Sequence, residues 1–105
     1  MIPDLELEDG SNYQIGKYGR MRQRYLFENH HAMYTHLVLT EKLWKHLEEV
    51  DMECNDMMDM LTVRMAEREG VTEHLKSVDQ LGWERKMNNI RSRAEEVVLH
   101  DLIYR

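Results

Sequence analysis

The stretch TEKLWKHLEEVDMECNDMMDMLTVRMAEREG, residues 40–70, decides the fold. Its apolar side chains recur four and three residues apart, which is the heptad spacing of a helix that packs lengthwise against another helix. These side chains belong to Leu43, Leu47, Val50, Cys54, Met57 and Leu61. Thr40 offers the hydroxyl of an N-cap, and Gly70 is the residue type that commonly follows a helix. The pattern therefore predicts one long helix over 41–69.

The residues after Gly70 repeat the same spacing. Thr72 is a second N-cap candidate, and a helix is predicted over 73–104 with a bend near Gly82, where the phase of the apolar residues changes. Its apolar seam consists of Trp83, Met87, Ile90, Ala94 and Val97. If the two long helices fold back on each other at Gly70, their apolar seams coincide. We therefore predict a long antiparallel helical hairpin.

Two shorter helices are predicted before the hairpin, over 17–29 and 31–39, and we expect them to pack at its open end. The first has an apolar stripe at helical spacing. This stripe consists of Tyr18, Met21, Tyr25 and Leu26. Residues 1–14 are predicted to be an extended or mobile segment, and 15–105 a single helical domain. The predicted fold class is therefore all-α.

Charge is distributed unevenly along the chain. There are 20 acidic and 14 basic side chains, which give a formal net charge of -6. In the predicted hairpin Arg93 lies level with Glu48 and Arg85 lies level with Asp56, so opposite charges on the two long helices fix the register. Spacing assigns no such partner to the basic residues between 17 and 24. They form either a face that binds phosphate or a face that is solvated or internally paired.

Three functions that depend on binding are predicted, two from these charges and one from the apolar seam. The first is binding of nucleic acid or a nucleoprotein complex. Its candidate residues are Lys17, Arg20, Arg22, Arg24, Arg91 and Arg93. The second is binding of a protein that has a basic nucleic-acid channel, which the acidic helix would occupy. Its candidate residues are Glu48, Glu49, Glu53, Asp56 and Asp59. The third is a structural scaffold that forms a homodimer through exposed apolar seam.

The sequence contains few signals of a catalytic, cofactor-binding or metal-binding site. It contains no P-loop, no GxGxxG, no HExxH and no nucleophile elbow, and a thin helical hairpin provides no deep cleft. We therefore predict no enzyme activity, no catalytic residue and no cofactor. His30, His31 and His36 lack the spacing that places two ligands on one helix face, so no metal is expected. Cys54 is the one cysteine, and no apolar run suits a signal peptide or a membrane span, so we expect a cytoplasmic location.

Four segments carry a resemblance to a known family. They are MIPDLEL at 1–7, IGKYGRMRQRYL at 15–26, GVTEHLK at 70–76 and DQLGWERKMNNIRSRAEEVVLHDLIY at 79–104. Together they resemble the transposon-encoded protein TnpV family over almost the whole chain. The resemblance implies a bacterial, cytosolic accessory factor of a mobile genetic element. It implies no catalytic residues, and the expected partner is nucleic acid, a recombinase or a host nuclease. In this setting the acidic helix is expected to inhibit a host nuclease or defence complex, in the manner of an anti-CRISPR protein.

Overall fold

A computed structural model describes residue 10 and residues 12–105, and every regular element in this part of the chain is helical. The elements are α1 (Lys17–Asn29), α2 (His31–Leu39), α3 (Leu43–Glu69), α4 (Glu73–Val78) and α5 (Gln80–Val98), followed by a π-helical turn over Leu99–Ile103. The all-α prediction is confirmed, and the bounds predicted for the two short helices match α1 and α2.

Two compact units divide the chain. The first holds the described residues up to Glu53 together with Tyr104, and the second holds Cys54–Ile103 together with Arg105. The single domain over 15–105 and the packing of the short helices at the open end of a hairpin stay predictions. Most of the segment predicted at 1–14 lies outside the described residues.

In the first unit, α1 lies against the first part of α3, and the two helices are close together at Gly19. The Gly19 N–H donates a hydrogen bond to Oδ1 of Asp51 at 3.0 Å, and a Cβ at Gly19 would lie 3.0 Å from the carbonyl oxygen of Leu47. The first N–H groups of a helix lack partners within the helix, and the helix dipole favours negative charge there. The buried Asp51 therefore acts as an N-terminal cap that α3 supplies to α1.

The start of α3 differs from the prediction. Thr40 does not cap α3, because its Oγ1 donates backward to the carbonyl oxygen of His36 at 2.8 Å and so ends α2. Glu41 then adopts a positive φ of 56°, which no helix accommodates, and α3 begins at Leu43 instead of residue 41. A threonine hydroxyl can bond to the preceding turn or to the following one, and sequence alone did not decide between them.

In the second unit, α3 ends as predicted. Gly70 has a φ of 69°, the left-handed conformation that glycine adopts readily, and the Thr72 hydroxyl accepts the Leu75 N–H at 3.2 Å. A small core follows, in which Val71, Met87 and Ile90 are buried. Four partly buried side chains surround it: Met65, Ala66, Leu75 and Trp83.

The helix predicted over 73–104 is interrupted. The break lies at Asp79, three residues before the bend predicted near Gly82, and the Asp79 carboxylate accepts the Gly82 N–H at 3.0 Å. Aspartate competes with the helical backbone for such N–H groups and therefore starts a new helix at this point. The regular α-helix ends at Val98, because the last turn is π-helical.

The pairing predicted for Arg93 is also different. Its guanidinium donates to Oε1 of Glu69 at 2.8 Å, so its partner is not the predicted Glu48. This hydrogen bond, more than any other influence, lowers the pKa of Glu69 below its usual value of 4.5. The pairing predicted for Arg85 with Asp56, and the hairpin register on which it depends, stay predictions.

Candidate nucleic-acid interface

Three of the predicted basic residues share one exposed face of α1. Lys17, Arg20 and Arg24 are spaced three and four residues apart, and all three are exposed. Side chains at this spacing lie above one another on a helix surface. We call these three residues the cationic face. From Lys17 to Arg24, seven residues further along, the helix rises about 10 Å.

Arg22 does not belong to the cationic face. It lies on the buried side of α1 with Tyr18 and Leu26, and only 5% of its surface is exposed. Its Nε donates to Nε2 of His46 on α3 at 3.3 Å, and its guanidinium carbon lies 5.9 Å from the centre of the Tyr25 ring. Since a buried guanidinium cannot reach phosphate without leaving these contacts, we remove Arg22 from the candidate binding residues.

Within the cationic face, Arg24 forms a weak ion pair. Arg24 donates through Nε to Glu28 at 3.0 Å, in a pair whose side chains are 81% and 53% exposed. Exposed pairs at this helical spacing are worth about 0.3–0.5 kcal/mol. The Nζ of Lys17 lies 5.4 Å from the centre of the Tyr18 ring. An anionic ligand therefore displaces the Glu28 contact at little cost.

An aromatic cluster continues the cationic face, and the sequence analysis missed it. Phe27 follows Arg24 by three residues on the same side of α1, and 53% of its surface is exposed. Its ring makes edge contacts with His31 at 5.1 Å and with Tyr34 at 5.2 Å between centroids. The rings of His31 and Tyr34 are nearly parallel, 6.0 Å apart. The signal was present in the spacing, because Lys17, Arg20, Arg24 and Phe27 step by three, four and three.

An open pocket of about 300 Å³ adjoins the cationic face at Arg24. It is lined by Met21, Arg24, Tyr25, Glu28, Asn29 and Tyr104. The rings of Tyr25 and Tyr104 lie 5.2 Å apart at one side of it. The pocket therefore places a guanidinium beside two phenol rings, which suits planar or anionic groups better than aliphatic ones.

The two basic candidates of α5 belong to the second unit, and both donate hydrogen bonds to side chains of that unit. Arg93 donates to Glu69 and also to Oδ1 of Asn89, each at 2.8 Å. Arg91 is exposed and donates to the amide oxygen of Asn88 at 3.5 Å. The charge of Arg93 is thus largely offset by a carboxylate, whereas the charge of Arg91 faces solvent.

The acidic candidates lie along α3. Glu49, Glu53, Asp56 and Asp59 are exposed. Glu48 is half-buried, and its carboxylate accepts the backbone N–H of Gln14 at 3.0 Å. Glu48 therefore has a structural contact, and the other four form the exposed acidic surface of this helix.

Metal sites and membrane spans were also considered in the part of the chain that the structure describes. Within residues 10 and 12–105, no group of three or more His, Cys, Asp or Glu side chains is arranged to hold a metal ion. Nor does this part of the chain include a helix whose length and apolar character suit a membrane span. Cys54 is buried and forms no disulfide, as expected for a core position.

Comparison with known proteins adds the family. Residues 1–103 match the family described as transposon-encoded protein TnpV. No curated protein and no solved structure matches the chain. Because the match spans nearly all of the sequence, the resemblance of the four segments extends to the chain as a whole. This chain belongs to the transposon-encoded protein TnpV family.

Proposed function

We propose that this protein is a non-enzymatic accessory factor of a bacterial mobile genetic element, acts in the cytoplasm, and binds nucleic acid through the cationic face of α1. The single observation that carries the proposal is that the basic residues of α1 divide into one that is buried and three that are exposed. Arg22 is buried, whereas Lys17, Arg20 and Arg24 are exposed side by side on a helix that α3 holds in place through Asp51.

Phosphate neutralisation makes the proposal quantitative. Each phosphate contact releases condensed counterions, and the logarithm of the binding constant falls with the logarithm of salt by about 0.7 per contact on single strands and about 0.9 on duplexes. A face with three cations therefore predicts a slope of about -2 to -3. Such binding is modest in strength, which suits a factor that acts within a larger assembly.

The test is a salt titration of oligonucleotide binding by fluorescence anisotropy. Replacing Lys17, Arg20 and Arg24 with Gln should abolish measurable binding and flatten the salt slope. The matched control replaces Lys42, Lys45 and Arg64, which are also exposed. Both triple variants lower the formal net charge by three from -6, so a general charge effect would weaken them equally. Equal weakening, or no weakening, would refute the assignment.

A second candidate function rests on the exposed acidic surface of α3. We propose as the alternative that Glu49, Glu53, Asp56 and Asp59 occupy the nucleic-acid channel of a host nuclease or defence complex. Carboxylates along a helix offer a negative field to a basic channel. Inhibition of a nuclease by the wild type, lost on replacing these four residues with Gln or Asn and retained in the cationic-face variant, would favour this function over the first.

A further inference from the structure

We propose that the nucleic acid bound by the cationic face is single-stranded, and that the ring of Phe27 stacks on one of its bases. This inference rests on the proposed function and specifies its substrate. It is carried by a juxtaposition within the first unit, where an exposed aromatic ring directly extends a row of exposed cations along α1.

The first step is the placement of the ring. Phe27 stands three residues beyond Arg24, about one helical turn along the axis, so a strand whose phosphates meet the cations passes the ring. More than half of the Phe27 surface remains in contact with solvent. Proteins that bind single strands combine a positively charged track with aromatic rings on which successive bases stack.

The second step is the orientation of the ring. Phe27 is held by edge contacts with His31 and Tyr34, and the Nδ1 atom of His31 lies 3.2 Å from the Phe27 carbonyl oxygen. These two ring contacts restrict the rotamers of Phe27 before any ligand arrives. A ring that is already ordered loses less conformational entropy on binding than a mobile one.

The third step separates single strands from duplexes. In a duplex the faces of the bases are stacked on one another, and a side chain meets base edges and methyl groups only. A single strand presents the faces of its bases, so only there does an aromatic ring gain by stacking. An exposed phenylalanine beside the cations is therefore useful toward a single strand and of little use toward a duplex.

The experiment compares three proteins on two probes. The proteins are the wild type, Phe27→Ala and Phe27→Leu, and the probes are an oligothymidylate of about 16 nucleotides and a duplex of equal length. Leu39→Ala is the control for loss of an exposed apolar side chain, because Leu39 is 71% exposed on α2 and has no aromatic ring. Circular dichroism shows whether each variant retains its helix content.

Two readouts distinguish stacking from a structural effect. Phe27→Ala and Phe27→Leu should each weaken single-strand binding by about 5- to 150-fold, since both remove the ring. The slope of binding against salt should stay at its wild-type value in both variants, because the number of neutralised phosphates is unchanged. Arg20→Gln should reduce that slope by about 0.7 on the single strand. Leu39→Ala should change neither quantity.

The outcomes separate the two proposals. Tighter binding of the single strand, with the losses and the unchanged slope above, supports the inference. Equal binding of both probes, or full affinity in Phe27→Leu, overturns the inference and leaves the proposed function standing. Failure of the wild type to bind either probe in a salt-dependent manner overturns the proposed function itself.

Discussion

The substitution Gly19→Ala tests how α1 is held against α3, because two physical effects on it have opposite signs. Glycine within a helix is about 1 kcal/mol less favourable than alanine, so helix propensity alone predicts that the variant is more stable. The contacts at Gly19 predict the reverse. A Cβ there would lie 2.5 Å from Cγ2 of Ile15 and 3.0 Å from the Leu47 carbonyl oxygen.

Neither neighbour can give way easily. Cγ2 of Ile15 sits on a branched Cβ and not at the end of a flexible side chain, and the Leu47 oxygen belongs to the helical backbone of α3. Overpacking of this kind costs about 1–3 kcal/mol. If α1 moves outward instead, the 3.0 Å hydrogen bond from the Gly19 N–H to Asp51 lengthens, and its loss leaves a buried group without its partner at a cost of about 1–3 kcal/mol.

The expected net effect is a loss of about 0–2 kcal/mol in the free energy of unfolding, after the gain in propensity of about 1 kcal/mol is subtracted. Urea unfolding followed by far-ultraviolet circular dichroism measures it, and with a denaturant slope of about 1–2 kcal/mol per molar the midpoint falls by at most about 1–2 M. Ser92→Ala, on an exposed position of α5, is the control for propensity and should gain a few tenths of a kcal/mol at most.

A stabilised Gly19→Ala variant would show that the close approach of α1 to α3 is wrong. A double-mutant cycle with Asp51→Ala adds a second criterion. Both single changes disturb the same contact, so their costs should add to more than the cost of the double variant, by at least about 0.5 kcal/mol. Simple additivity would mean that Gly19 and Asp51 do not act as a unit.

Three further predictions concern the caps and one ion pair. Asp51→Ala should cost about 2 kcal/mol in urea unfolding because it leaves the Gly19 N–H buried without an acceptor, whereas Asp51→Asn keeps an acceptor and should cost about half as much. Thr72→Ala should destabilise by about 1 kcal/mol and accelerate amide exchange in the first turn of α4, and Thr72→Ser should restore both. The pKa of Glu69 is lowered by Arg93, so the stability that this pair contributes is present above 4.5, the usual value, and is lost as the pH falls through the lower folded pKa. Arg93→Ala should therefore raise the pKa of Glu69 in an NMR titration, and its destabilising effect should vanish in acid.

Local signals in the sequence predicted the structure correctly where a residue had only one possible structural role. The bounds of α1 and α2 follow from the apolar stripe and its limits, and Gly70 and Thr72 act as predicted because glycine permits a positive φ and threonine caps the next helix. The errors arose where a polar side chain had two possible partners. Thr40 donates its hydrogen bond to the preceding turn and not to the following helix. Asp79 caps a new helix, whereas the bend was predicted near Gly82.

Contacts distant in sequence were beyond these signals. The link from Asp51 to Gly19 joins residues 32 positions apart, and the link from Arg93 to Glu69 joins residues 24 apart. Spacing within one helix gives the face on which a residue lies, but it does not give the residue opposite on another helix. The heptad pattern therefore indicated most of the buried positions, but it was wrong at Val97, which is exposed while the adjacent Val98 is buried. It did not fix which charge meets which.

The burial of one basic residue, Arg22, and one acidic residue, Asp51, explains which residues lie on the exposed face of α1. Arg22 lies four residues from both Tyr18 and Leu26, so helical geometry places it among the buried side chains, where His46 accepts its hydrogen bond. Asp51 of α3 is also buried, unlike the exposed acidic residues around it, and caps α1. Two buried polar residues with specific partners set the rotation of α1 about its axis more strictly than apolar contacts do, because a rotated helix would leave both unsatisfied. The residues opposite the buried side are then determined, and they are the cations and the phenylalanine on which the proposed binding of single strands depends.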